Sequence, residues 1–274
     1  MINENKNVDR VPISPLSYII CGSGPGLLLA HGCGATVKSN FSALLGSLTE
    51  RFTVVGPDYP GSGATPRATE PLQLDTLADQ MVATAVRAGV EKFAVIAYSM
   101  GCAIALRIAT RHPDRVTALI LTAGFAQPDT PLRHKTSIAY GQAEEENRNA
   151  WARYQINLCV SRRYINSMSE EDLEGLVELV ASMAAPDAAE HADLVARIDV
   201  RSDLSRVSVP TLVISMKEDQ LVSPQASQAL ANGIPGAQVA ELDCGHLPID
   251  RYSEWQHLIL NFLTTIPAIT EGIK

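Results

Sequence analysis

Five short runs of this sequence are apolar but for a few Thr and Ser residues, and no other feature restricts its possible folds more. They are residues 27–30 (LLLA), 52–56 (FTVVG), 93–97 (FAVIA), 116–122 (VTALILT) and 211–215 (TLVIS). A strand with one face in water alternates polar and apolar residues. A run without alternation suits a strand covered on both faces, as in a largely parallel sheet. Residues 16–20 and 239–242 supply a first and a last strand. Helical patterns lie between the runs. Leu74, Leu77, Ala78, Met81, Val82 and Ala85 form an apolar stripe within 72–88, and 101–112 is a second helix stopped by Pro113. Two more are expected at 224–231 and 254–263. The β-α-β-α order predicts an α/β architecture of three layers, with helices on both faces of the sheet.

The alternation breaks between residues 125 and 206. This stretch carries no strand signal but several helical ones. Ser169 followed by Glu170, Glu171 and Asp172 reads as a helix start, a hydroxyl cap with acids at the positive end of the dipole. The stripe Leu173, Leu176, Val177, Val180 and Met183 follows at helical spacing, and 193–198 continues the theme beyond Pro186. The expected organisation is a core made of 1–124 and 207–274, with 125–206 inserted as a helical cap.

A net charge of −8 argues against nucleic-acid binding, because neutralising phosphates needs surplus Lys and Arg. The five cysteines are Cys21, Cys33, Cys102, Cys159 and Cys244; none forms a CxxC pair, so neither a zinc site nor a dithiol motif is indicated. They read as small buried hydrophobes in a reducing compartment. Residues 1–10 are polar and lack the apolar centre of a secretory leader, and no run reaches membrane-spanning length, so the cytoplasm is the expected address. No cofactor or metal is called for, and the sequence leaves the oligomeric state open.

The strongest chemical signal is Ala97-Tyr98-Ser99-Met100-Gly101. It follows one buried run and opens a helix rich in small residues, the strand–turn–helix setting that a nucleophile elbow requires. The sharp turn exposes the Ser99 hydroxyl at the strand end, and small flanking residues let strand and helix approach. The usual pattern has Gly at both flanks; Ala97 adds one methyl at the first.

A second phrase, His31-Gly32-Cys33-Gly34, directly follows the run 27–30. With it the chain resembles the α/β-hydrolase superfamily, in a serine-nucleophile esterase- or lactonase-like branch with a helical cap. That resemblance implies an oxyanion hole made by the backbone N–H groups of Cys33 and Met100, and a structural role for His31. It also extends to the loop 215–224, where Asp219 fits the acid position better than Glu218, with Asp129 a weaker competitor. Asp243-Cys244-Gly245-His246 resembles the family's histidine loop, and of six histidines only His246 lies where a base could reach Ser99. The chain order Ser…Asp…His is the α/β-hydrolase order. Asp58-Tyr59-Pro60-Gly61-Ser62-Gly63 resembles a structural turn of the same family.

The implied reaction is two-step acyl transfer to water from a small to medium, largely apolar carboxylic ester, lactone or thioester. A serine at the elbow weighs against the chemistry of relatives that use an aspartate nucleophile. Carbon–carbon bond hydrolysis, acyl transfer to another acceptor, and a receptor of the same fold with little turnover remain open alternatives. The cap is expected to select the substrate, a small acyl compound, and Phe125, Tyr140, Trp151, Tyr154 and Met183 are its candidate pocket residues.

Overall fold

The computed structural model describes residues 15–141, 148–182 and 188–270. In chain order the elements are β1 (Tyr18–Cys21), β2 (Gly26–Ala30), α1 (Val37–Thr49), β3 (Thr53–Pro57), α2 (Leu74–Arg87), β4 (Phe93–Tyr98), α3 (Met100–Arg111) and β5 (Val116–Thr122). Then come α4 (Thr130–Gly141), α5 (Arg148–Cys159), α6 (Arg162–Ser167), α7 (Glu170–Ser182), α8 (Ala188–Arg197) and α9 (Arg201–Leu204). The chain returns to the sheet with β6 (Thr211–Met216), α10 (Pro224–Gly233), β7 (Gln238–Leu242), α11 (Tyr252–Thr264) and α12 (Pro267–Thr270).

The strands form one sheet in the order β1-β3-β2-β4-β5-β6-β7. Only β1 runs antiparallel, pairing Tyr18 with Pro57; every other neighbouring pair is parallel. Both faces of the central strands are dry, and the side-chain period of two divides them between two cores. Leu28, Ala30, Val95 and Ala97 join one core with Leu77 and Met81 of α2, Ile104 of α3 and Leu230 of α10. Leu27, Leu29, Ala94 and Ile96 join the other with Phe41 and Leu44 of α1 and Trp255 and Ile259 of α11. Burying one such large side chain contributes about 1.5–3 kcal/mol, so the pattern of the central strands alone biases the chain strongly to this arrangement. The three-layer α/β-hydrolase fold expected from the sequence is the fold observed.

Helix α1 is absent from the pattern read above. Thr36 caps it, accepting from Ser39 N at 3.0 Å, while Ser39 returns a bond to Thr36 N. Val37, Phe41, Leu44 and Leu48 make its buried face. Between β5 and β6, the described residues carry helices and no strand. Helices α5 and α7 share a small core of their own, Ala152, Ile156, Val160, Val177 and Ala181. Ser169 does cap α7, accepting from Asp172 N at 3.1 Å.

Candidate active site

Four loops at the carboxyl ends of the parallel strands build the site. β2 and β4 are neighbours, with Ala30 paired to Ala97, so the loops that follow them lie side by side where the chain's strand order reverses. β6 and β7 are neighbours too, and Lys217 N donates to Leu242 O and Glu218 N to Cys244 O, which continues their alignment past the strand ends.

The β4 strand turns into α3 at Ser99, which has φ 53° and ψ −121°. A non-glycine residue in this region costs on the order of 1–3 kcal/mol, which the surrounding structure must offset. Here Ser99 N donates to Thr122 O of β5 at 2.8 Å, and Ser99 O accepts from Cys102 N at 2.9 Å. Gly101 must be bare, since a Cβ there would come within 2.2 Å of Ala30 O and 2.7 Å of His31 O. The methyl of Ala97, by contrast, is simply part of the core. The Ser99 hydroxyl has no hydrogen-bond partner among the described residues, and the side chain opens into a cavity.

Asp219 lies buried just past β6. Its Oδ1 accepts from Leu221 N and Val222 N, both at 2.8 Å, which turns Oδ2 toward His246 Nδ1 at 2.7 Å. With Nδ1 donating to the carboxylate, Nε2 is the ring nitrogen left for other work. Tyr98 meets the His246 ring edge-on, centroids 5.5 Å apart, and its hydroxyl donates to His246 O. The competing acids are elsewhere. Glu218 is partly exposed beside Arg163, and Asp129 accepts from Leu132 N at 2.7 Å as the cap of α4. Of the other histidines, His112 pairs with Asp79 at 2.8 Å and His257 contacts Asn261 at 2.7 Å.

After β2 the chain presents three consecutive amides, of Gly32, Cys33 and Gly34. Gly32 N donates to Asn40 Oδ1 at 2.7 Å, and Gly34 N to His191 Nδ1 at 3.2 Å. Cys33 N–H makes no hydrogen bond among the described residues. Met100 N–H is the first of α3, one of the donors a helix leaves unpaired at its start. His31 is buried and neutral: Tyr59 N donates to its Nε2 at 3.1 Å, and burial, with His191 nearby, lowers its pKa to about 3. Burial raises the Cys33, Cys102 and Cys159 thiols and pushes Cys244 up to about 12, so these sulfurs stay protonated and weakly nucleophilic at neutral pH.

Ser99, His246, Gly32 and Cys33 line one cavity of about 620 Å³. Of the candidate pocket residues, Trp151 lines it. Phe125 does not; its ring is buried in the main core beneath the β5 end. Tyr154 does not either, because Trp151, Gln155, Ile156 and Cys159 occupy the cavity face of α5 while Tyr154, Asn157 and Leu158 face a second hollow beside Lys135 and Gln220. The Tyr140 side chain and Met183 lie outside the described residues. The sequence reading missed the rest of the lining. Ile156, Val160, Leu176, Val180, Leu247 and Ile249 make an apolar wall, and Thr36, Lys38, Ser39, Asn40 and Ser42 a polar one. No carboxylate lines the cavity among the described residues, and Lys38 is its one cation. No cluster of His, Cys, Asp and Glu among those residues is arranged to hold a metal ion, and no helix is long and apolar enough to cross a membrane.

The family model described as the alpha/beta hydrolase family matches residues 27–255. This chain belongs to that family. It is 32% identical over 260 residues to the pyrrolizixenacetamide deacetylase of Xenorhabdus hominickii, covering 94% of this chain and 97% of that one. It is 27% identical over 233 residues to the pimeloyl-acyl-carrier-protein methyl ester esterase of Neisseria meningitidis, covering 82% and 88%. Among solved structures, a thermophilic esterase from Thermogutta terrifontis superposes with a TM-score of 0.78 at 25% identity, over 92% of this chain and 93% of that one. The family hosts many reactions on one scaffold, so the reaction of this member has to be argued from its own site.

Proposed function

We propose that this protein is a serine hydrolase that cleaves a small, largely apolar acyl compound through an acyl-enzyme on Ser99. One observation carries the reading: a serine held at positive φ on a strand–helix turn shares a cavity with a histidine whose Nδ1 is fixed by a buried aspartate. His246 Nε2 takes the Ser99 proton as Oγ bonds to the substrate carbonyl carbon. The N–H groups of Cys33 and Met100 hold the oxyanion that forms. The tetrahedral intermediate collapses, His246 returns the proton to the leaving group, and the acyl group stays on Ser99. Water, deprotonated by His246, then attacks the ester carbon; the bond to Ser99 Oγ breaks, His246 returns the proton to Oγ, and the acid leaves. Asp219 keeps the proton on Nδ1 and stabilises the imidazolium. The relatives named as a deacetylase and a methyl ester esterase lend support to cleavage at an acyl carbon bound to a heteroatom.

Residues 125–206 act as a cap in this reading, with Trp151, Ile156, Leu176 and Val180 covering the apolar end of the substrate. Among the described residues the cavity lining holds no carboxylate to pair with an ammonium, which favours neutral or anionic substrates over cationic ones. The experiment is steady-state turnover of a panel of small esters and anilides, with acyl chains matched in length but neutral, anionic or cationic. Multiple turnovers per enzyme are expected, at rates in the usual range of about 1–10³ s⁻¹ for the best substrate. Ser99→Ala is expected to fold normally and lose on the order of 10⁶ of that rate. A single stoichiometric event without further release points instead to a receptor of the same fold. Full activity in Ser99→Ala overturns the assignment.

A further inference from the structure

We propose that Asn40 and His191 are positioning residues that aim the Cys33 N–H at the reacting carbonyl; this rests on the Ser99 acyl-transfer reading above. Three successive amides follow β2. Left alone, a loop of this kind samples several orientations of each peptide plane. Here the two outer N–H groups are taken by side chains, Gly32 by Asn40 Oδ1 at 2.7 Å and Gly34 by His191 Nδ1 at 3.2 Å. Among the described residues the middle one is left without a partner, on a residue that lines the cavity. The fixed peptide is also the one next to the nucleophile, because a Cβ on Gly32 would lie 3.4 Å from both Asn40 Oδ1 and Ser99 Cβ.

The two clamps come from different parts of the chain and are themselves held. Asn40 belongs to the first turn of α1, whose start is fixed by Val37 N donating to Asp58 Oδ1 at 2.8 Å. His191 is buried on α8, and its Nε2 lies 2.9 Å from Pro60 O. Because Nδ1 accepts from an amide, the ring proton sits on Nε2 and is donated to that carbonyl, which fixes the ring at both nitrogens. Gly34 has φ 65°, the left-handed conformation that glycine adopts without strain, and its N–H reaches His191 of α8. An oxyanion donor works through prior alignment, so restraining its neighbours lowers the barrier without adding any contact to the ground-state substrate.

The test compares His191→Phe, which keeps an aromatic ring but removes the acceptor, with His191→Asn, whose Oδ1 can still accept from Gly34 N–H. Their kcat and KM are read on the best ester found, with melting temperature as a check on folding. His191→Phe is expected to lower kcat by about 10- to 100-fold with KM changed less than about threefold, below the ~10²–10³ for deleting an oxyanion donor outright. His191→Asn is expected to recover most of that loss. Asn40→Ala, at a partly exposed position, is expected to act in the same direction and carries the test if His191→Phe does not fold. An inhibitor that forms a tetrahedral adduct, such as a trifluoromethyl ketone, should weaken in step with kcat, whereas a substrate-like amide should not. A folded His191→Phe or Asn40→Ala enzyme with unchanged kcat and unchanged ketone affinity overturns the proposal. So does a loss that falls on KM alone. Should Ser99→Ala remain active, the underlying reading fails instead, and the two failures are distinct.

Discussion

Both carboxylate oxygens of Asp219 are engaged, one by two backbone amides and one by His246. Replacing it with Asn puts an N–H₂ where an acceptor is needed or turns the imidazole to its other tautomer. Asp219→Asn is therefore expected to preserve the fold and cut kcat by about 10⁴, as the equivalent change does in serine proteases. Glu218→Gln is expected to cost less than about tenfold, since its partly solvated charge acts on the site only weakly. Steady-state kinetics of the pair checks this, and equal losses would refute the assignment. The sequence singled out Ser99, Asp219 and His246 because each sits just past a strand, inside a short phrase whose local geometry needs it. Asn40 and His191 were not. His191 meets Gly34 across 157 residues of chain, and no local pattern encodes a contact at that range. The aromatic residues show the same boundary: Trp151 and Tyr154 are three positions apart on one helix, yet only the coordinates tell which face of α5 looks into the cavity.

The helices between β5 and β6 reach both halves of the site. His191 of α8 holds the loop after β2, while the end of α5 holds the histidine loop through Leu247 N donating to Cys159 O at 2.7 Å. Arg163 of α6 adds ion pairs to Asp243 at 2.9 Å and Asp250 at 3.1 Å. The close approach depends on Gly245, where a Cβ would lie 2.7 Å from Cys159 O and Ser161 N. Backbone atoms cannot yield as a flexible side chain can. Gly245→Ala is expected to destabilise the fold by ~1–3 kcal/mol through overpacking. It is also expected to lower kcat by at least about tenfold as His246 shifts, since catalysis is sensitive to misplacement of about an ångström. Thermal melts and kinetics on the same sample check both, and a variant that matches the parent in each would show the contact to be incidental. The sequence did not delimit α4, α5 or α6 after β5; beside the sheet it showed α2, α3, α10 and α11, but not α1. Its stripe Val37, Phe41, Leu44 and Leu48 has helical spacing behind a Thr cap, but Ser39, Asn40, Ser42, Gly46 and Ser47 are poor helix formers. Packing against β3 and α11 rather than propensity makes it a helix, and that packing is invisible in a window of sequence.

Across the whole molecule, the strand order gathers residues 31–34, 99–100, 219 and 246 at the carboxyl end of the sheet, although they are spread over most of the chain. Continuous apolar runs announced this sheet, because strands dry on both faces have few alternatives to a parallel arrangement flanked by helices. The antiparallel β1 and the more exposed β7 lie at the sheet edges, where one neighbour is missing and the pattern is weaker. What the carboxyl end of the sheet does chemically rests on one bond, from Ser99 Oγ to an electrophilic centre. The direct measurement is reaction with a fluorophosphonate followed by intact mass and peptide mapping. One equivalent of label is expected, carried by the peptide containing Ser99, absent in Ser99→Ala and formed far more slowly in His246→Ala. Labelling of a different residue with Ser99 unmodified, or undiminished labelling of Ser99→Ala, would contradict the account.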